Sequence, residues 1–292
     1  IGGPFVEEGG YDLLALICGS EGQLGVVTEA WLRVLRSPEG ARPVIMGFDS
    51  VAAAGAAVSD IIRSGVIPVA IEYMDKPAIK VCEEFAQAGY PLDVEALLII
   101  EVEGDAAEID MQLTHIQKIA APHGPRAVRV SGSAAETAKI WAGRKAAFGA
   151  MGRISDYMCM DGTIPTSALP KVLSEISTLS EKHGLGVANI FHAGDGNLHP
   201  LILFDANRPG DLEKAEAFGE DILTLCVEVG GCLTGEHGVG VEKRELMAVQ
   251  YAPVDLAQQM AVKDVFDPEW LLNPAKVFPL AARDAAASKA AA

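Results

Sequence analysis

Residues 187–204 read VANIFHAGDGNLHPLILF. Two apolar runs flank a short polar stretch, the pattern of two strands joined by a tight turn. Asp195-Gly196 is a preferred pair for a two-residue hairpin turn, because both central positions can take positive φ. With that turn Gly194 faces Asn197, Ala193 faces Leu198 and His192 faces His199. Opposed residues share one sheet face with Cβ atoms about 4.5–5.5 Å apart. Two imidazoles so placed can hold one metal at about 2.0–2.1 Å per bond. The alternative is that the two rings only pack and hydrogen-bond around a ligand.

Outward from this hairpin, helices and strands alternate. YMCMDGTIP reads as a strand and Leu169–His183 as the helix that follows it. A long helix is expected from about Asp211 to Val229. Earlier in the chain, RPVIMGF, Pro68–Met74, ALLIIEVEG and AVRV read as strands. Between them lie an Ala-rich helix capped by Ser50, a helix capped by Asp75 and running toward Phe85, and a helix through Ile109–Ile119. A further helix is expected near Ala134–Phe148, and VVTEAWLRVL near the start alternates like a strand. Adjacent strand pairs with intervening helices predict an α+β fold. Its antiparallel sheets would carry helices on one face, in two ferredoxin-like units. The closing segment is expected to hold a helix over Lys243–Gln250, and the tail 281–292 to be low-complexity and frayed.

The chain has 292 residues, half of them hydrophobic, and a formal charge of −17. That charge repels nucleic acid and anionic lipid. No apolar run approaches the roughly 20 residues needed to span a bilayer. The opening IGGPFVEEGGYD has neither a basic nor an apolar leader region and reads like the middle of a longer chain. The five cysteines form no CxxC pair, which excludes a thiolate zinc ribbon and a cluster framework and suggests a reducing compartment.

A second polar motif is Thr-Gly-Glu-His-Gly-Val-Gly at residues 234–240. Its glycines let backbone approach a ligand closely. Glu236 is a hard oxygen donor and His237 a base near neutral pH. Two histidines plus one carboxylate leave open coordination sites, as catalytic metals require. Glu236 could instead cap the helix entered near Val241.

Four blocks, GSEGQLGVVTEAWLRVL from Gly19, HAGDGNLHP from His192, TGEHGVGVEK from Thr234 and FDPEWLLNPAK from Phe266, together resemble FAD-linked oxidases of the vanillyl-alcohol-oxidase (PCMH) type. WAGRKAAF at Trp141 and CMDGTIP at Cys159 look more narrowly like the glycolate-oxidase branch. The resemblance implies the end of an FAD-binding domain at 1–40, a substrate-binding cap at 41–232 and a return segment to the flavin at 233–280. It implies flavin contacts from Gly19, Ser20, Gly22, Gly25, Val26 and Asn273. His192, His199 and Glu236 match the ligands of a divalent cation, Zn²⁺ or Mn²⁺. His237 matches the base that takes the substrate hydroxyl proton, and Arg144 the clamp on the substrate carboxylate, for which its planar fork is suited. The implied reaction is oxidation of a small 2-hydroxy acid to the 2-oxo acid, with electrons passed to an iron–sulfur partner subunit or another acceptor, and the implied partners are a second flavin-type subunit and that iron–sulfur subunit. The implied location is cytoplasmic, with any inner-membrane attachment made through those subunits. The rivals are a metal-dependent hydrolase using the same His and Glu residues, and a non-catalytic fragment.

Departures from the family pattern carry information. Phe148, Cys159 and Leu201 stand where hydroxyglutarate-type relatives carry polar residues, which favours a short monocarboxylate such as glycolate or D-lactate, since a second buried charge would lack a partner. Ala275 replaces a glycine of the family pattern, and ISDYM is one residue short, which leaves the register near Tyr157 open.

Overall fold

A computed structural model of the chain describes residues 9–281. The first eight residues and almost all of the 281–292 tail lie outside it. The chain divides into two compact units, one formed by residues 1–36 and 236–292, the other by residues 37–235.

In chain order, α1 (Leu13–Ile17) belongs to the first unit. The second unit begins with β1 (Gly40–Phe48), α2 (Val51–Arg63), β2 (Ala70–Asp75), α3 (Lys76–Ala86), β3 (Ala96–Gly104), α4 (Ala106–Ala120) and β4 (Arg126–Val130). It continues with α5 (Ala134–Met151), β5 (Asp156–Cys159), β6 (Gly162–Thr163), α6 (Leu169–His183), β7 (Val187–His192), β8 (Asn197–Leu198), β9 (Pro200–Phe204) and α7 (Asp211–Glu228). The first unit resumes with α8 (Met247–Gln250) and α9 (Pro253–Phe266). No described helix is long and apolar enough to cross a membrane.

Local chemistry accounts for the helix starts. Ser50 accepts the Ala53 amide at 3.1 Å, Asp75 accepts that of Ala78, and Asp105 with Glu108 forms a capping box on α4. All described strand pairings are antiparallel. The order β4-β1-β3-β2 is that of a split β-α-β unit, and it recurs in the second half. There β5/β6 pairs with β9/β8, these pair with β7, and a bridge from Cys232 to Thr163 stands in for the fourth strand. The two repeats join through their equivalent strands, β2 against β7.

Strand alternation sorts the sheet's two faces. Tyr73 and Phe191 stack at 4.6 Å on one. Met74, Leu97, Ile99 and Ile190 occupy the other and pack with Ile79 and Cys82 of α3 and Ile140, Ala147 and Met151 of α5. Each such side chain taken from water contributes about 1.5–3 kcal/mol. Helices therefore cover part of both faces, because α3 and α5 fall outside the repeat that places the other helices.

Three local expectations need correction, and one helix was not expected. The 193–196 turn is longer than two residues, since His192 pairs with Asn197. Of its residues only Gly196 has positive φ, +68°, and a type I′ turn needs two. Neighbouring strands engage the turn backbone instead: Gly194 N donates to Ile71 O at 3.2 Å and Ile164 N to Gly196 O at 2.9 Å. His192 and His199 are thus diagonal rather than opposed, still on one face. The strand expected at 26–35 is absent, and Val26, Trp31, Leu32, Val34 and Leu35 are exposed. Alternation sets which side chains would share a face, but a strand also needs a partner, and no described strand pairs here. The helix expected at 243–250 is a 3₁₀ turn leading into the four residues of α8. Helix α9 was not anticipated, because its buried face of Leu256, Met260 and Lys263 includes a lysine.

Candidate functional site

In the 37–235 unit the strand registers bring two histidine–carboxylate pairs onto one sheet face. Glu72 of β2 lies directly across from His192 of β7. On the other side, Cys159↔Leu201 and Gly162↔Leu198 bracket a break shared by β5/β6 and β8/β9, and that register sets Asp161 opposite His199. Glu72, His192, Asn197, His199 and Asp161 therefore project from the same face, the one covered by α3 and α5.

Helix α5 delivers Arg144. Its Nε donates to Glu72 Oε2 at 3.0 Å and its Nη2 lies 2.8 Å from the same oxygen. Both side chains are buried. The other carboxylate oxygen, Oε1, meets His192 Nδ1 at 2.8 Å. Burial pushes the Glu72 pKa up, but the hydrogen bond to His192 and the charge of Arg144 outweigh it and hold the carboxyl below its ordinary value. Two guanidinium nitrogens on Oε2, both side chains buried, make Glu72 the carboxylate half of an ion pair. Arg144 Nη1 hydrogen-bonds to no described residue.

His199 sits at right angles to His192, with ring centroids 5.3 Å apart and an interplanar angle of 82°. One nitrogen of each ring lies within 4.8 Å of one on the other. Asp161, fully buried, has Oδ1 3.5 Å from His199 Nε2. Its Oδ2 accepts Thr234 Oγ1 at 2.6 Å and the Gly235 amide at 3.0 Å. A Cβ on Gly235 would meet Asn197 Oδ1 at 2.3 Å, so glycine is required there. Two imidazoles set at right angles, with His192 hydrogen-bonded to the Glu72 carboxylate, offer nitrogens to a divalent cation. Carboxylate partners fix the ring tautomer and raise ligand basicity. Beyond the rings the wall is apolar: Phe148 lies 6.3 Å from His199, and Phe148, Cys159 and buried Leu201 belong to or pack against the α3–α5 core. Strand β5 settles the register near Tyr157, which pairs with Leu203.

Glu236 and His237 are the next residues along the chain and open the other unit. Both side chains are about half exposed, with His237 Nε2 4.0 Å from Glu236 Oε1. Their backbone entry is anchored, since Gly235 is hydrogen-bonded to Asp161.

The unit formed by 1–36 and 236–292 carries a separate cleft. Gly19, Ser20, Gly22, Gly25, Val26 and Asn273 all line it. Asn273 donates its amide to the Glu21 carbonyl, and a Cβ on Gly22 would meet that amide nitrogen at 2.6 Å. Gly19 and Gly25 border open space, so the cleft has room for a planar group against bare backbone. Lys263 fixes the cleft's frame from beneath, donating to Asp267 Oδ2 at 2.8 Å, Gln23 O at 2.9 Å and Leu272 O at 3.0 Å. Ala275 adopts φ +60°, the conformation that favours glycine, and its carbonyl accepts Arg244 Nη1.

Three residues of these sites escaped the sequence reading. Glu72 sits among the apolar residues of the strand AIEYMD, and a charge at a core position is itself a signal for a buried partner. Asp161 lay inside CMDGTIP without a role. Glu21, inside GSEG, accepts the Val239 amide at 2.7 Å and that of Gly240 at 2.9 Å. Only tertiary folding brings those amides to it.

Comparison with known proteins places these features in context. Residues 37–277 match the family described as FAD linked oxidases, C-terminal domain. The chain is 50% identical over 280 residues to the glycolate oxidase subunit GlcD of Escherichia coli K12, covering 96% of this chain and 56% of that protein. It is 30% identical to the D-lactate dehydrogenase of Anaerostipes hadrus, covering 92% of this chain and 58% of that one. The chain therefore spans a little over half the length of these relatives. A 4-ethylphenol oxidase from Gulosibacter chungangensis shares the fold, with a TM-score of 0.63 at 13% identity over 86% of this chain and 56% of that one.

Proposed function

The chain belongs to the FAD-linked oxidase C-terminal-domain family, and from that premise we propose that it forms the cap and flavin-return part of an enzyme that oxidises a small 2-hydroxy acid, glycolate or D-lactate, to the 2-oxo acid. The observation that carries the proposal is the Glu72-held arginine beside two crossed imidazoles on one sheet face. Such a face offers a fork for a carboxylate and two nitrogens for a cation next to it. Family membership and the names of the relatives favour an oxidase over a hydrolase or a non-catalytic fragment.

In this reading Arg144 presents Nη1 to the substrate carboxylate while Glu72 holds its remaining edge. The apolar wall of Phe148, Cys159 and Leu201 accepts a hydrogen or methyl at C2 and leaves a second carboxylate unpaired. His237 takes the hydroxyl proton. Gly19, Ser20, Gly22, Gly25, Val26 and Asn273 hold the flavin, which when bound supplies a hydride acceptor. His192, His199 and Glu236 hold a Zn²⁺ or Mn²⁺, which when bound supplies a Lewis acid for the hydroxyl or carboxylate oxygen. Electrons leave to a partner subunit, which we take to be an iron–sulfur protein, and residues 1–40 form part of an FAD-binding domain.

Metal removal tests the site. In the full-length, FAD-loaded protein, His192→Ala, His199→Ala and Glu236→Ala are each expected to strip the metal. A chelator is expected to lower hydroxy-acid turnover reversibly. Less than about a tenth of an equivalent of transition metal in fully active protein would reject the cation, since catalytic metals fill their sites.

A further inference from the structure

Glu72 divides its two oxygens between two different functional groups. Oε2 faces Arg144 at 3.0 Å (Nε) and 2.8 Å (Nη2), and Oε1 faces His192 Nδ1 at 2.8 Å. The division follows from the fold. Direct pairing of β2 with β7 sets Glu72 across from His192, and α5 lays Arg144 over the same face. An ionised carboxylate only accepts hydrogen bonds. His192 must therefore carry its proton on Nδ1, and the nitrogen it turns to a cation is Nε2.

From this geometry we infer that Glu72 is a positioning residue that sets the His192 tautomer for cation binding and, through the same carboxylate, the angle at which Arg144 meets the substrate. The inference rests on the cation and substrate reading given above. It makes the two events interdependent: whatever displaces Glu72 weakens both together. A merely structural ion pair, pinning α5 to the sheet, would affect stability alone. Glutamine at residue 72 separates the cases. Arg144 has only donors, so the amide oxygen stays with it and the amide NH₂ turns to His192. Nδ1 must then accept, which moves the ring proton to Nε2, the nitrogen the cation needs.

The test is chelator-competition titration of Mn²⁺ on the full-length, FAD-loaded protein, with the KM for glycolate or D-lactate and the melting temperature measured alongside. Glu72→Gln is expected to weaken Mn²⁺ binding by about 10–100-fold, the range found when a partner behind a metal ligand is lost, and to raise KM. Glu72→Asp keeps the charge but falls one methylene short. It serves if the glutamine variant does not fold, and is expected to weaken Mn²⁺ binding by at least about fivefold. An Mn²⁺ affinity and a KM both within about twofold of the native protein, with only melting lowered, would overturn the inference. Absence of any Mn²⁺ binding that His192→Ala abolishes would defeat the cation reading instead. The tautomer, read by ¹⁵N NMR of labelled histidine, then decides the inference separately. Nδ1–H in the native protein and Nε2–H in Glu72→Gln sustain it, and one tautomer in both overturns it.

Discussion

Two carboxylates three residues apart on β2 have pKa values shifted in opposite directions. Glu72 accepts from His192 and pairs with the Arg144 cation, and is held below its ordinary pKa. Asp75 has only amides: it caps α3 through Ala78 N and accepts Asn189 N and Nδ2, both at 2.8 Å. Burial dominates there and pushes its pKa from 3.8 up to about 6. A raised folded pKa means that the protonated acid is favoured by folding. Its contribution is full below pH 4 and is lost as pH rises through about 6. Asp75→Asn resembles the protonated acid. Between pH 4 and pH 7 the native protein is expected to lose about 2–3 kcal/mol of stability relative to that variant, measured by urea unfolding at each pH. A difference independent of pH would contradict the account. Arg144 makes the companion case. Lysine there keeps the charge but cannot present Nη1 while holding Glu72 with two nitrogens. Arg144→Lys is expected to lower kcat/KM at least about tenfold, or about 1.4 kcal/mol, and kinetics unchanged within about twofold would show that it is not the clamp. Nothing in the local sequence distinguishes Arg144 from any other helix charge. Its place came from family resemblance, and its partner Glu72 came only from the fold.

Elements were more legible than the contacts between them. Helix α6 spans Leu169–His183, the bounds expected from the sequence. The hairpin was recognised but its register was not, because Asp195-Gly196 states a local preference while Ile71 and Ile164 hold the turn backbone from outside. That competition makes Gly196 a sharp test. At φ +68° a Cβ would meet Ile164 O at 2.1 Å. Gly196→Ala is expected to destabilise the fold by about 3 kcal/mol, combining left-handed strain with overpacking, and to disturb both His192 and His199. Unfolding unchanged within about 0.5 kcal/mol would mean that the turn is not held as described. Segment 26–35 shows the opposite failure, a strand pattern with no described strand beside it. Helix α9 was obscured because Lys263 occupies a core position where hydrophobic periodicity expects an apolar residue.

At the scale of the whole chain, the boundary between the units falls at Gly235–Glu236, inside the motif that supplies the third metal ligand and the base in the proposed mechanism. The sheet face with His192, His199, Arg144 and Glu72 belongs to one unit, and the glycine-lined cleft with Asn273 to the other. The α+β class and the repeated antiparallel unit could be read from strand and helix periodicity. The pairing of β2 with β7, which assembles the site, joins residues 120 positions apart and left no local trace. The central claim is that the intact protein takes a hydride from a short 2-hydroxy acid. Anaerobic addition of glycolate or D-lactate to the full-length, FAD-loaded protein tests it most directly. The account predicts that one or both bleach the visible flavin band to completion with stoichiometric 2-oxo acid, and that D-2-hydroxyglutarate does so far less well. A flavin band unmoved by either monocarboxylate at saturating concentration, yet bleached by dithionite, would contradict it.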